Sequence, residues 1–127
     1  MKLKLSLVIT TLSTIFFLSC NKSIEIEDFD SQQWDSERIT CKTYRQSAAG
    51  IIKNQSSIFI GQSEHNVQQL LGRPDRIDLG RKHTKVIIYQ INNIETECKS
   101  DDKQYKFNFI RFELDTLGYV KFVTWDD

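Results

Sequence analysis

The chain has 127 residues, and its 17 basic side chains are balanced by 17 acidic ones. This length is typical of one small domain, so we expect no second domain. A chain without net positive charge is not typical of general nucleic-acid binders, so we expect no nucleic-acid partner.

The first 19 residues have the pattern of a secretory leader. Lys2 and Lys4 give a basic start, and residues 5–18 form an uncharged, largely apolar run. This run is shorter than the roughly 20 apolar residues that a permanent membrane helix needs. Residues 1–19 are therefore predicted to be a signal peptide, whose removal leaves 15 basic and 17 acidic residues, a net charge near −2.

The end of this leader resembles the lipobox of bacterial lipoproteins. Phe17, Leu18 and Ser19 stand before Cys20, and in a lipobox a small residue precedes a cysteine that is acylated and becomes the new N-terminus. The resemblance implies a lipid on Cys20 that anchors the protein to a membrane of the cell envelope. Cleavage by the ordinary signal peptidase is the alternative.

The assignment of Cys20 to the lipid leaves Cys41 and Cys98 as the other cysteines. Thiols tend to pair in the oxidising environment of secreted proteins, so we predict a Cys41–Cys98 disulfide. In the alternative, Cys41 is a small apolar core residue and Cys98 an exposed loop thiol.

The mature chain is predicted to begin with an acidic flexible tether over residues 20–30, followed by one domain over residues 31–127.

Asp30 or Ser31 is a candidate N-cap for a first helix. Six residues at helical spacing are predicted to pack along one stripe of that helix: Trp34, Cys41, Tyr44, Ala48, Ile51 and Ile52. Gly50 weakens the helix, and residues 54–57 are predicted to form a turn.

A second, shorter helix is marked by local signals. Ser63 is its candidate N-cap, Gly72 supplies a left-handed C′ residue, and Pro74 prevents continuation. Its inward residues are predicted to be Val67, Leu70 and Leu71.

Three segments have the β-branched and aromatic composition of strands. They are residues 86–91, 105–109 and 119–125, with Gly118 at the last hairpin. Two helices followed by three strands predict an α+β fold, in which both N-terminal helices pack on one face of a three-stranded antiparallel sheet.

The segment 60–75 resembles the signature of the SmpA/OmlA (BamE-like) small lipoproteins. In that family a glycine and a small capping residue precede a short helix that ends in Leu-Gly-x-Pro, here Gly61, Ser63, Leu71, Gly72 and Pro74. The resemblance extends from about residue 60 to residue 89. It implies an accessory lipoprotein of the machine that assembles outer-membrane β-barrels, and therefore an outer-membrane location and a protein partner.

The chain is also similar to a looser group of Bacteroidetes lipoproteins of unassigned role. These proteins have a tryptophan, a cysteine and an arginine on the first helix, matched here by Trp34, Cys41 and Arg45.

The sequence contains no pattern typical of a catalytic or metal site. His65 and His83 have no second ligand at metal-binding spacing, and there is no phosphate loop, nucleophile elbow or HExxH segment. We therefore expect no enzymatic activity, no cofactor and no metal.

Two surface features are candidates for binding. Five cations form a candidate basic patch for anionic head groups or an acidic partner, namely Arg73, Arg76, Arg81, Lys82 and Lys85. Alternatively, they belong to a charged loop partly neutralised by Asp75 and Asp78.

The aromatic residues of the strands are the second candidate, and they are either interface anchors or core residues. They are Tyr105, Phe107, Phe109, Phe112, Tyr119, Phe122 and Trp125.

Together these features predict a non-catalytic, membrane-anchored lipoprotein that binds another envelope protein as a scaffold or assembly accessory. An inhibitor or immunity-type protein that blocks a secreted enzyme or toxin is the alternative.

Overall fold

A computed structural model describes residues 23–92 and 108–126. The described chain is α+β, as predicted from the order of its helical and strand-like segments. The helices are α1 (Ser31–Ser36), α2 (Thr43–Asn54) and α3 (Glu64–Leu71), and the strands are β1 (Arg76–Leu79), β2 (Lys85–Gln90), β3 (Phe109–Leu114) and β4 (Val120–Asp126). Two short 3-10 helices, Ser56–Phe59 and Arg81–His83, complete the regular structure.

The four strands form one antiparallel sheet in the order β1-β2-β3-β4. Alternate residues of the two central strands pack with residues of all three helices, as Ile87, Tyr89, Ile110 and Phe112 do. Side chains alternate between the faces of a sheet, so the helices cover one face and Val86 and Ile88 lie on the other. Both of these residues are buried as well.

The sheet has four strands rather than the predicted three. β1 was not predicted because its four residues alternate charged and apolar side chains over too short a length to stand out. The strand predicted over residues 105–109 lies later in the chain, where β3 occupies Phe109–Leu114. Tyr105 and Phe107 lie outside the described residues.

The predicted start of the first helix is confirmed. The carboxylate of Asp30 accepts a hydrogen bond from the backbone N–H of Gln33 at 3.0 Å, and α1 begins at Ser31. The Ser31 hydroxyl donates to the carbonyl of Leu70, which joins this N-terminus to the end of α3.

The prediction of one continuous first helix is wrong, because the chain leaves the helix after Ser36 and begins α2 only at Thr43. The carboxylate of Glu37 accepts hydrogen bonds from the backbone N–H groups of Tyr44 (2.7 Å) and Arg45 (2.8 Å). These donors have no partner within α2, so Glu37 caps the second helix from outside. Cys41 is consequently exposed in the connection rather than on a buried stripe.

The predicted stripe holds within α2, where Ala48 and Ile52 are buried and Tyr44 and Ile51 pack against the core. α2 continues through Gly50 without a break and ends at Asn54, the first residue of the turn predicted over residues 54–57. The second half of that segment lies in the 3-10 helix Ser56–Phe59.

The helix α3 follows its local signals closely. The Ser63 hydroxyl accepts a hydrogen bond from the N–H of Asn66 at 3.2 Å. Val67 and Leu71 are fully buried and Leu70 is partly buried, in agreement with the predicted inward residues.

Gly72 ends α3 with φ 71° and ψ −166°, a backbone conformation open essentially to glycine alone. Gly72 is therefore the C-cap residue, with a positive φ and an extended ψ. The sequence predicted it instead at C′, in the αL conformation. A side chain at this position would also overlap the Asp35 carboxylate.

Gly72→Ala is expected to lower the free energy of unfolding by about 1–3 kcal/mol, because the backbone conformation is strained for any residue with a Cβ. Urea denaturation followed by circular dichroism measures this loss. Gly50→Ala is the matched control: open space surrounds Gly50 inside α2, so alanine is expected to stabilise the domain by about 0.5–1 kcal/mol. Equal stability of Gly72→Ala and the wild type would contradict the strained geometry.

The domain starts earlier in the chain than predicted. Ile24 and Ile26 are only 7% and 8% exposed and belong to the core, while the Phe29 ring lies 5.6 Å from that of Trp34. The described part of the predicted tether over residues 20–30 is therefore packed, because alternating isoleucines between acidic residues bury one side of an extended segment.

The hairpin between β3 and β4 turns at Gly118, where φ is 87°. The carboxylate of Asp115 accepts hydrogen bonds from the backbone N–H groups of Leu117 (2.9 Å) and Tyr119 (3.0 Å).

Among the helices of residues 23–92 and 108–126, none has the length and apolar character to cross a membrane.

Candidate functional site

Arg45 is the most unusual side chain in the described structure, since a long cationic residue is fully buried at the beginning of α2. Arginine is almost never buried unless it is paired. The contacts of Arg45 therefore decide whether it belongs to a binding site or to the framework of the fold.

The guanidinium group of Arg45 joins three separate parts of the chain. Its Nε donates to the backbone carbonyl of Trp34 at 2.9 Å, and its Nη1 donates to the carboxylate of Asp75 at 2.7 Å and the carbonyl of Gln90 at 3.0 Å. Its Cζ also lies 4.9 Å from the centroid of the Trp34 ring, within the range of a cation–π contact. Arg45 thus holds α1, the segment before β1 and the end of β2 together.

The Asp75 carboxylate serves this same junction. Its Oδ2 accepts a hydrogen bond from the backbone N–H of Gln90 at 2.7 Å, in addition to the one from Arg45. The predicted role of Asp75, neutralising the nearby basic loop, is not what the geometry shows, because this carboxylate faces the buried guanidinium.

The Tyr89 ring packs beside Trp34 at the junction, and the two ring centroids are 6.5 Å apart. Its hydroxyl donates to the carbonyl of Gly72 at 2.8 Å. Burial raises the pKa of the Tyr89 phenol well above its usual range, and the Asp75 carboxylate adds to this shift. The phenol therefore stays protonated and keeps donating.

The unpartnered donors of the junction are shielded from solvent. The Arg45 Nη2 and Trp34 Nε1 atoms are buried and have no hydrogen-bond partner within the described ranges. An anion or substrate would need solvent access to these donors, and neither of them has it. We therefore assign the Arg45 junction to the framework of the fold.

The candidate basic patch is spread along β1 and its hairpin, and two of its members are paired. Lys85 Nζ lies 2.6 Å from the Glu64 carboxylate on α3, and Arg76 Nη2 lies 3.1 Å from the Asp78 carboxylate.

The three remaining cations of the patch are Arg73, Arg81 and Lys82. All three are exposed, and they form no ion pair with another residue of the described ranges. Lys82 and His83 both have positive φ, at 55° and 61°, at the tip of the β1–β2 hairpin.

The aromatic residues of the strands divide between the two predicted roles. Phe112 is fully buried and Trp125 packs against the core, while the half-buried ring of Phe109 lies 5.6 Å from the Arg76 guanidinium. Tyr119, just before β4, and Phe122 on β4 are 47% and 50% exposed, so among the described aromatic residues of the predicted strands these two are available to a partner.

The cysteines and histidines are only partly described. Cys20 and Cys98 lie outside the described residues, so the lipid and the Cys41–Cys98 disulfide stay predictions. The alternative in which Cys41 is a core residue is wrong, because Cys41 is exposed. His65 and His83 are exposed, and no cluster of three potential metal ligands occurs in residues 23–92 or 108–126.

The sequence did carry a signal for the role of Arg45. Ala48, Ala49 and Ile52 follow Arg45 at three, four and seven positions, which places it on the buried stripe of α2. A cation on such a stripe needs a carboxylate partner, and Asp75 stands 30 residues further along the chain. Nothing in the local pattern identifies that partner.

No protein-family model, curated protein or solved structure matches this chain. The resemblance to the SmpA/OmlA lipoproteins is therefore a prediction from the motif at residues 60–75.

Proposed function

We propose that the protein is a non-catalytic lipoprotein, anchored through Cys20 to a membrane of the bacterial envelope, which binds another envelope protein with its exposed surface. The lipobox-like residues before Cys20 support the anchor. The SmpA/OmlA-like motif favours the outer membrane and a scaffold or assembly role.

The observation that carries this proposal is the early start of the folded core. Ile24 is already buried, four positions after Cys20. An extended residue spans at most about 3.6 Å, so Cys20 and Ile24 are no more than roughly 14 Å apart. An acyl group on Cys20 would hold this domain directly at the bilayer surface, where its partners would be other envelope components.

The exposed side chains offer more groups to a binding partner than the buried ones do. The buried Arg45 guanidinium and the partly buried Asp75 carboxylate are occupied with each other and with backbone groups. In contrast, large apolar side chains are exposed at turns and edges, with Leu79 at 80% and Leu117 at 81%. In the same proposal, a Cys41–Cys98 disulfide would stabilise the thin core by about 2–4 kcal/mol.

Cys20→Ala in the full-length chain tests the proposal. In cells given a clickable fatty acid, the wild type is expected to incorporate the label, fractionate with membranes and crosslink to an envelope protein. Cys20→Ala is expected to lose the label and most of the crosslinked product, because the domain is no longer held at the bilayer.

Asn21→Ala is the matched control, since it alters the neighbouring position without removing the thiol. Unchanged acylation of Cys20→Ala would show that the anchor is elsewhere. If the wild type crosslinks to no protein and instead turns over a substrate, the non-catalytic function is wrong.

A further inference from the structure

β1 has one free edge in the described structure. The N–H of Gly80 donates to the carbonyl of Thr84, and Asp78 and Arg76 pair with Val86 and Ile88 in the same register. Hydrogen-bonded pairs alternate along an antiparallel ladder. The backbone N–H and C=O groups of Ile77 and Leu79 therefore point away from β2.

No segment within residues 23–92 or 108–126 pairs with this side of β1, which is the first strand of the sheet. The edge thus presents two donors and two acceptors in the spacing of a strand. Such a row is a template for an added strand.

The side chains on the same edge are apolar and exposed. Ile77 is 51% exposed and Leu79 is 80% exposed. Because they are two positions apart, their side chains lie on one face of the strand. An added strand with apolar residues at alternate positions would cover both.

Cations lie at both ends of this edge. Arg73 precedes β1, and Arg81 and Lys82 follow it at the hairpin tip. The nearby carboxylates do not neutralise these three cations, because Asp75 binds Arg45 and Asp78 binds Arg76. The local charge is therefore complementary to an acidic segment.

We propose that the β1 edge, defined by Arg73, Arg76, Ile77, Leu79, Arg81 and Lys82, binds an extended acidic segment of a partner protein as an added strand. This inference rests on the proposed function and names the site and the chemistry of the partner. Backbone hydrogen bonds to Ile77 and Leu79 hold the segment, and its alternating apolar side chains cover theirs. Carboxylates at its ends meet the three unpaired cations.

The experiment measures binding of a fluorescein-labelled peptide of alternating glutamate and valine, about nine residues long, to the full-length lipoprotein in neutral detergent. Fluorescence anisotropy is expected to show at least about tenfold tighter binding than for the same peptide with lysine in place of glutamate. Hydrogen exchange of the Ile77 and Leu79 amides is expected to slow when the acidic peptide binds.

Leu79→Pro removes an N–H that faces outward and leaves the β1–β2 ladder intact, as proline at a free edge does. It is expected to weaken peptide binding more than Leu79→Ala, which keeps the N–H. Leu117→Ala is the matched control, because this leucine is equally exposed at another turn, and it is expected to have no effect. N-methylation of alternate amides in the acidic peptide removes the N–H groups that would donate to the β1 edge. It is expected to weaken binding, and it tests the added strand without altering the protein.

Equal binding of the acidic and basic peptides would overturn the proposal, as would full binding of the N-methylated peptide. Preferential binding of vesicles containing phosphatidylglycerol, with no peptide binding, would assign the cations to a membrane and also overturn it. Loss of the strand site alone leaves the proposed function standing if the wild type still crosslinks to an envelope protein through other surfaces.

Discussion

Arg45→Ala is expected to lower the free energy of unfolding by about 3–5 kcal/mol, the range found when one partner of a buried ion pair is removed. The Asp75 carboxylate, only 15% exposed in the intact structure, would lose its cation. The carbonyls of Trp34 and Gln90 would lose a donor as well. Urea denaturation of the purified protein, followed by circular dichroism, gives the unfolding free energies.

Two further variants separate the buried pair from the general effect of removing an arginine. Arg81→Ala removes an exposed arginine of the β1–β2 hairpin and is expected to change the stability by no more than about 0.5 kcal/mol. Arg45→Lys keeps the charge but lacks the planar group that donates in several directions, so an intermediate loss is expected. A loss below about 1 kcal/mol for Arg45→Ala would contradict the role assigned to this junction.

Where local chemistry determines the structure, the sequence predicted it well. Ser63 and Gly72 mark both ends of α3, and the inward positions of that helix follow from its period. The core strand β2 was found from its β-branched composition. These features depend on residues within a few positions of one another, so a single sequence contains the information.

Predictions failed where contacts outside a single helix or strand determine the structure. The periodic apolar positions favoured one long helix, but Glu37 reaches across the connection to cap α2 and allows α1 to end at Ser36. β1 is a strand because β2 pairs with it, not because of its own composition. The tether over residues 20–30 was predicted from acidic residues, while the burial of Ile24 and Ile26 depends on the surface that receives them.

In the candidate site, too, the local features were predictable from the sequence and the tertiary contacts were not. The cations of the basic patch were visible in the sequence, but only the sheet topology shows that they flank a free strand edge bearing Ile77 and Leu79. Arg45 could be placed on a buried stripe, while its pairing with Asp75 depends on how α2 packs against the start of β1.

Trp34→Ala is the second variant with a large expected effect, a loss of about 3–5 kcal/mol in unfolding free energy. The indole is fully buried, and its ring contacts Phe29 and Tyr89 as well as the Arg45 guanidinium. The void left by alanine would lie between α1 and the sheet. Trp125→Ala is the matched control: this tryptophan is only partly buried, so we expect a smaller loss in the same denaturation measurement.

The coupling between Trp34 and Arg45 can be measured with milder variants that keep the protein folded. Trp34→Phe retains a ring, and Arg45→Met retains most of the side-chain volume without its charge. Because the guanidinium both faces the indole and donates to the Trp34 carbonyl, the losses of the two variants should not add. A coupling free energy of about 0.5–3 kcal/mol is expected from the double-mutant cycle. Additive losses would mean that Trp34 stabilises the core independently of Arg45, and that the ion pair with Asp75 holds the guanidinium without help from the ring.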